Sequence, residues 1–116
     1  MNLLQASDPV HWEEASRLLR DVRIRLESMD AVLWTEAQTT PGQLAMDYPL
    51  MQLHFLEENT ERVGIVVLMD HDPLFWPELE PGAALFVHKL AIHSVHCGKG
   101  LGRMALDAIV EYAGKI

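Results

Sequence analysis

The sequence predicts an α/β or α+β domain in which a largely antiparallel sheet is flanked by helices. Three observations point there. Apolar residues recur at helical spacing between residues 11 and 29, then give way to alternation and β-branched runs after residue 50. A polar, turn-rich tetrapeptide separates two of those runs in the manner of a hairpin. The last strand-like run leads through alternating glycines into a closing amphipathic stretch. The expected order is β-α-α-β-β-β-α. At 116 residues the chain, 1–116, fits one domain around one core.

Residues 2–6 read as a short first strand. Asp8-Pro9 reads as an N-cap followed by proline at the first helical position. Glu13 and Glu14 sit early in that helix, where its dipole favours them. Ala15, Leu18, Leu19, Val22, Leu26 and Met29 form its buried stripe. Arg17, Arg20, Arg23 and Arg25 lie off or beside the stripe and read as a solvated face pairing with Asp21 and Glu27. Thr40-Pro41 predicts a short second helix through about Tyr48, which Pro49 stops. Met51, Leu53 and Phe55 alternate with Gln52, His54 and Leu56, and Val63 to Met69 is rich in β-branched residues. With Glu58-Asn59-Thr60-Glu61 as the turn, these predict a hairpin of roughly 51–57 with 62–69. Residues 70–82, with three prolines, predict a loop anchored by Phe75 and Trp76. Ala83 to Ile92 predicts another strand. Gly100 to Gly114 predicts a helix with Leu101, Ala105, Ala108, Ile109 and Tyr112 inward.

Charge is distributed unevenly. The net is −8 overall, yet residues 1–88 carry five basic and fifteen acidic side chains while residues 89–116 carry a net of +2. No carboxylate falls between Glu80 and Asp107. An anion site therefore belongs to that interval, whereas nucleic acid and anionic membrane are excluded as general partners of so acidic a chain. The single cysteine, Cys97, excludes a disulfide framework and fits a reducing compartment. With no signal-peptide pattern at the amino terminus and no apolar run long enough to span a bilayer, the expected location is the cytoplasm.

The chemically informative stretch runs from Leu85 to Arg103: an apolar strand, a short turn, Gly98, Gly100 and Gly102, then a helix. Such a turn offers backbone N–H groups at a helix N-terminus with no Cβ atoms in the way, which is an anion site made of main chain. Lys99 and Arg103 add charge suited to phosphate. The spacing matches neither a P-loop, which needs Gly-Lys followed by Ser or Thr, nor the dinucleotide pattern G-x-G-x-x-G.

It resembles the signature of the GNAT superfamily of acyl-CoA-dependent N-acetyltransferases, Arg/Gln-x-x-Gly-x-Gly/Ala after a strand reading Leu-x-Val. Leu90-Ala91-Ile92 matches the strand. Cys97-Gly98-Lys99-Gly100-Leu101-Gly102 matches the loop, with Cys97 where Arg or Gln is usual. The resemblance implies acetyl-CoA as cosubstrate, with Leu90, Ala91 and Ile92 beside its pantetheine arm. Cys97, Gly98, Lys99, Gly100, Leu101, Gly102 and Arg103 would then lie at its pyrophosphate. It implies acetyl transfer to a primary amine of a small molecule or peptide. It also implies a further strand, helix and hairpin after the last helix, so that a chain ending at Ile116 lacks the C-terminal part of the fold. Val87 to Ile92 would then keep an unpaired edge, expected to be covered by a second copy of the chain.

His88, inside that strand, is the candidate base for deprotonating the amine, and a half-buried structural histidine is the plainer alternative. Strand alternation gives His88 and Leu90 the same face and Lys89 the other. Glu36, Asp70 and Asp72 are rival bases. His93, His96 and Cys97 lack a clear fourth ligand, and no metal is expected. Asp70, Asp72, Glu78 and Glu80 read as a solvated loop or as a lure for a cationic amine. An alternative of another class is a CoA-binding or interaction module without catalysis.

Overall fold

In the computed structural model, residues 1–31, 33–69 and 86–114 are described. A four-stranded antiparallel sheet, ordered β1-β2-β3-β4, carries two helices on one face and one on the other. The strands are β1 (Asn2–Gln5), β2 (Leu53–Glu58), β3 (Glu61–Met69) and β4 (Phe86–Ile92); the helices are α1 (His11–Ser28), α2 (Pro41–Asp47) and α3 (Leu101–Gly114). The β-α-α-β-β-β-α order expected from the sequence is the order observed.

Alternation along the strands sends side chains to two cores. Leu53 and Phe55 of β2 and Ile65 and Val67 of β3 meet Trp12, Ala15, Leu19 and Val22 of α1 and Leu44 of α2. Leu56, Val66 and Leu68 meet Leu101, Ala105 and Ile109 of α3. Phe55, Leu19, Leu53, Leu56 and Ile65 are almost wholly shielded from water. Each such side chain contributes about 1.5–3 kcal/mol by leaving water.

Two expectations about α1 need correction. The helix starts at His11, not at Pro9. Asp8 accepts the Val10 amide on its carboxylate at 2.9 Å and the His11 amide on its carbonyl, so Asp8-Pro9 shapes the turn before the helix. On the arginine face, among the described residues, only Arg23–Glu27, at 2.9 Å, forms the expected kind of pair; Asp21 is engaged by Ser94. The α2 start is as expected, with the Thr40 hydroxyl accepting the Gln43 amide and Pro41 opening the helix.

The hairpin closes on Asn59 and Thr60, both left-handed (φ 52° and 65°), the turn whose twist suits antiparallel strands. The β3–β4 pairing is irregular. Val67 pairs with His88 and Ile65 with Ala91, so Val66 alone stands opposite both Lys89 and Leu90. This is a β-bulge, and Lys89 occupies it with φ 47°. Just beyond it the strands run so close that a Cβ on Gly64 would lie 2.4 Å from the Ala91 carbonyl oxygen. The bulge overturns simple alternation. His88 and Ala91 share the α1 side of the sheet, while Leu90 and Ile92 pack toward α3. His88 and Leu90 therefore lie on opposite faces, because the extra residue shifts the period by one.

The predicted loop at 70–82, with Phe75 and Trp76, and the start of the last strand at 83–85 lie outside the described residues. Among the described residues, no helix is long and apolar enough to cross a membrane.

Candidate functional site

β4 leads through a short 3-10 turn, Ser94–His96, into Cys97 and the glycine turn, and α3 begins at Leu101. Gly98 and Gly100 are both left-handed (φ 79° and 74°), a conformation open to glycine without strain. A Cβ built on Gly98, Gly100 or Gly102 would meet no other described part of the protein within 4 Å, so among the described residues the space above the turn is open. The Cys97 amide is turned inward, donating to the Ser94 carbonyl at 3.1 Å. The amides of Gly98, Lys99, Gly100, Leu101, Gly102 and Arg103 have no acceptor among the described residues; the next, Met104, donates to Gly100. Six consecutive N–H groups at the positive end of a helix are thus left for solvent or for an anion. Lys99 and Arg103 are exposed beside them, and Cys97 is an exposed free thiol.

The turn is fastened from both sides. Asp21 of α1 accepts the Ser94 amide at 2.9 Å and the Ser94 hydroxyl at 2.6 Å. Burial acts to raise the Asp21 carboxyl, but the two bonds from Ser94, with the nearby His93 and Arg25, hold it below its ordinary value. His96 Nε2 lies 3.1 Å from Glu61 of β3, and the His93 ring accepts the Val95 amide. Among the described residues, no group of three metal-binding side chains converges.

β4 presents its two faces differently. Leu90 and Ile92 are half-buried toward α3, the helix that carries the turn; Ala91 is buried toward α1. Within the described sheet β4 pairs only with β3, leaving its other edge open. His88 is half-buried on the α1 side, its ring 6.4 Å from that of Tyr48. Lys89 joins it there, its ammonium 5.3 Å from the centre of the Trp34 ring. Burial pushes Lys89 below its ordinary value, partly opposed by Asp47, and burial with the same Asp47 raises the Tyr48 hydroxyl. Glu36 is exposed beside the start of α2. Asp70, Asp72, Glu78 and Glu80 lie outside the described residues.

Three residues around this site were not singled out from sequence. Trp34 and Tyr48 sit in a stretch without clear periodicity, and Ser94 finds its partner 73 residues away. Lys89 did carry a signal: it is the first lysine in the chain.

Comparison with known proteins supplies one finding. The profile of the acetyltransferase (GNAT) family matches residues 12–116, a span that includes β4, the glycine turn and α3. No curated protein matches the chain.

Proposed function

The chain belongs to the acetyltransferase (GNAT) family, whose chemistry is acyl transfer from an acyl-CoA, and from that premise we propose that it moves an acetyl group from acetyl-CoA to a primary amine of a small-molecule or peptide acceptor. The observation that carries the proposal is the row of six unpartnered amides, Gly98 to Arg103, beneath open space and flanked by Lys99 and Arg103. A diphosphate satisfies such donors at once, and charge-assisted bonds of this kind are about twice as strong as neutral ones. The departure at Cys97 costs the contact little, because the donors are main chain.

Acetyl-CoA supplies the acetyl group as a thioester. The amides and cations of the turn hold its diphosphate, and the open edge of β4 from Leu90 to Ile92 offers main-chain groups to the pantetheine arm. The bulge at Lys89 pushes that edge outward, where an N–H can face the carbonyl oxygen that gains charge during attack. His88, directly or through a water, takes the proton of the attacking amine, which must be neutral to form the new C–N bond as the C–S bond breaks. A second copy of the chain pairing along the same edge would compete with the pantetheine arm for these groups.

Lys99→Glu combined with Arg103→Glu gives a test that separates binding from folding. Both side chains are exposed beside the turn, so the double variant keeps its stability to within about 1 kcal/mol. We expect CoA affinity lower by about tenfold or more in calorimetry. Unchanged affinity, or no heat from CoA with the natural sequence, ends the proposal.

A further inference from the structure

Lys89 holds a backbone conformation that costs a non-glycine residue roughly 1–2 kcal/mol, at a position where glycine would complete the bulge without strain. A lysine kept there points to a use for its side chain. The bulge sends that side chain to the α1 side of the sheet, opposite the face where Leu90, Ile92 and α3 pack.

The surroundings of the ammonium indicate the use. It lies over the Trp34 ring and, among the described residues, has no hydrogen bond or ion pair. Among the described residues Asp47 acts on it through its field, while the Asp47 Oδ1 accepts from the Gln43 side-chain amide at 2.9 Å. A half-buried cation without a carboxylate partner among the described residues is unexpected in a chain of net charge −8, because partial loss of water is left uncompensated. Trp34 supplies ring surface beside it, and the Tyr48 and His88 rings approach each other at 6.4 Å on the same side of the sheet. At long range so acidic a protein repels anions, so a local cation is needed to seat one.

We infer that the Lys89 ammonium receives a carboxylate carried by the acceptor, which makes the substrate class an amine bearing an acid group and an apolar or aromatic body. This rests on the acetyl-transfer reading above. The amine of such a molecule reaches the bulge while its carboxylate meets Lys89 and its body packs on Trp34 and Tyr48.

The test uses matched amines with and without the carboxylate: phenylalanine, tyrosine and leucine against phenethylamine, tyramine and isopentylamine, read by release of CoA thiol. The expected result is a preference of about tenfold or more in kcat/KM for at least one acid-bearing amine, expressed in KM. Lys89→Met brings the ratio close to one, and Lys89→Arg preserves most of it. Lys89→Gly, which relaxes the backbone, gives the same collapse and guards against a misfolded methionine variant. A preference that survives in both variants, or is absent from the natural sequence, overturns the inference. Calorimetry with N-acetylphenylalanine and N-acetylphenethylamine reads the subsite without turnover. If CoA gives no heat and no amine reacts, the transferase reading fails on its own. Tighter binding of the acid-bearing compound, lost in Lys89→Met, then still upholds the carboxylate subsite, and equal binding of the two refutes it.

Discussion

The glycine turn and the β4 bulge both require left-handed backbone, and they meet the requirement in opposite ways. At Gly98 and Gly100 the chain uses residues that adopt it freely and leave the main chain bare. At Lys89 it uses a long side chain and accepts strain. The difference separates two kinds of local function. Where amides are to be offered, a side chain is an obstruction and glycine serves. Where a charge has to be delivered to a chosen face, the strain is tolerated for what the side chain does, and contacts such as the Trp34 ring offset part of it.

Three perturbations act on that contrast. The largest expected effect comes from Gly64→Ala. Its methyl group would lie 2.4 Å from the Ala91 carbonyl oxygen, a backbone atom that moves only with the strand. We expect a loss of about 3 kcal/mol in urea unfolding, and a stability near that of the natural sequence would mean that the bulge is not held by the close β3–β4 approach.

Ser94→Ala acts on the turn alone. It removes the hydroxyl that helps depress the Asp21 carboxyl, at a cost of about 1 kcal/mol. Because that carboxyl is held below its ordinary value, its contribution is complete above pH 3.8 and is lost as pH falls through the lower folded value. Unfolding followed from pH 6 to pH 2, on the order of that window, should show a smaller acid-dependent loss in Ser94→Ala. Identical pH profiles would detach Asp21 from the turn.

Lys89→Gly has the smallest expected effect on stability. Relief of about 1–2 kcal/mol of strain is opposed by glycine's greater freedom in the unfolded chain and by loss of the cation–ring contact, about 0.5–1 kcal/mol each. A net change within about 0.5 kcal/mol in the same urea experiment, with altered tryptophan fluorescence, fits this balance. A clear loss of stability would make Lys89 a structural clamp.

What was legible from the sequence follows the range of the forces involved. The helices, the hairpin and the glycine turn declare themselves through neighbours: Thr40-Pro41 caps α2, and Asn59-Thr60 sits between two β-rich runs. Gly98, Gly100 and Gly102 advertise their turn because glycine spacing is itself local. The start of α1 misled because Asp8-Pro9 has the same chemistry as a cap or as the turn before one. The bulge was hidden because nothing in lysine signals left-handed backbone; it arises from the pairing of β4 with β3. That shift also moved His88 away from the face shared by Leu90. Ser94 and Asp21 escaped notice because their bond joins distant parts of the chain.

That last bond has a kinetic consequence. It spans 73 residues, so it forms only after α1 has docked and the entire sheet between the two residues has been threaded. Closure over such a distance is entropically expensive and belongs late in assembly. The glycine turn should accordingly be among the last parts of the molecule to acquire its shape. Any compound that seats there selects for completed molecules and draws the population toward them by mass action.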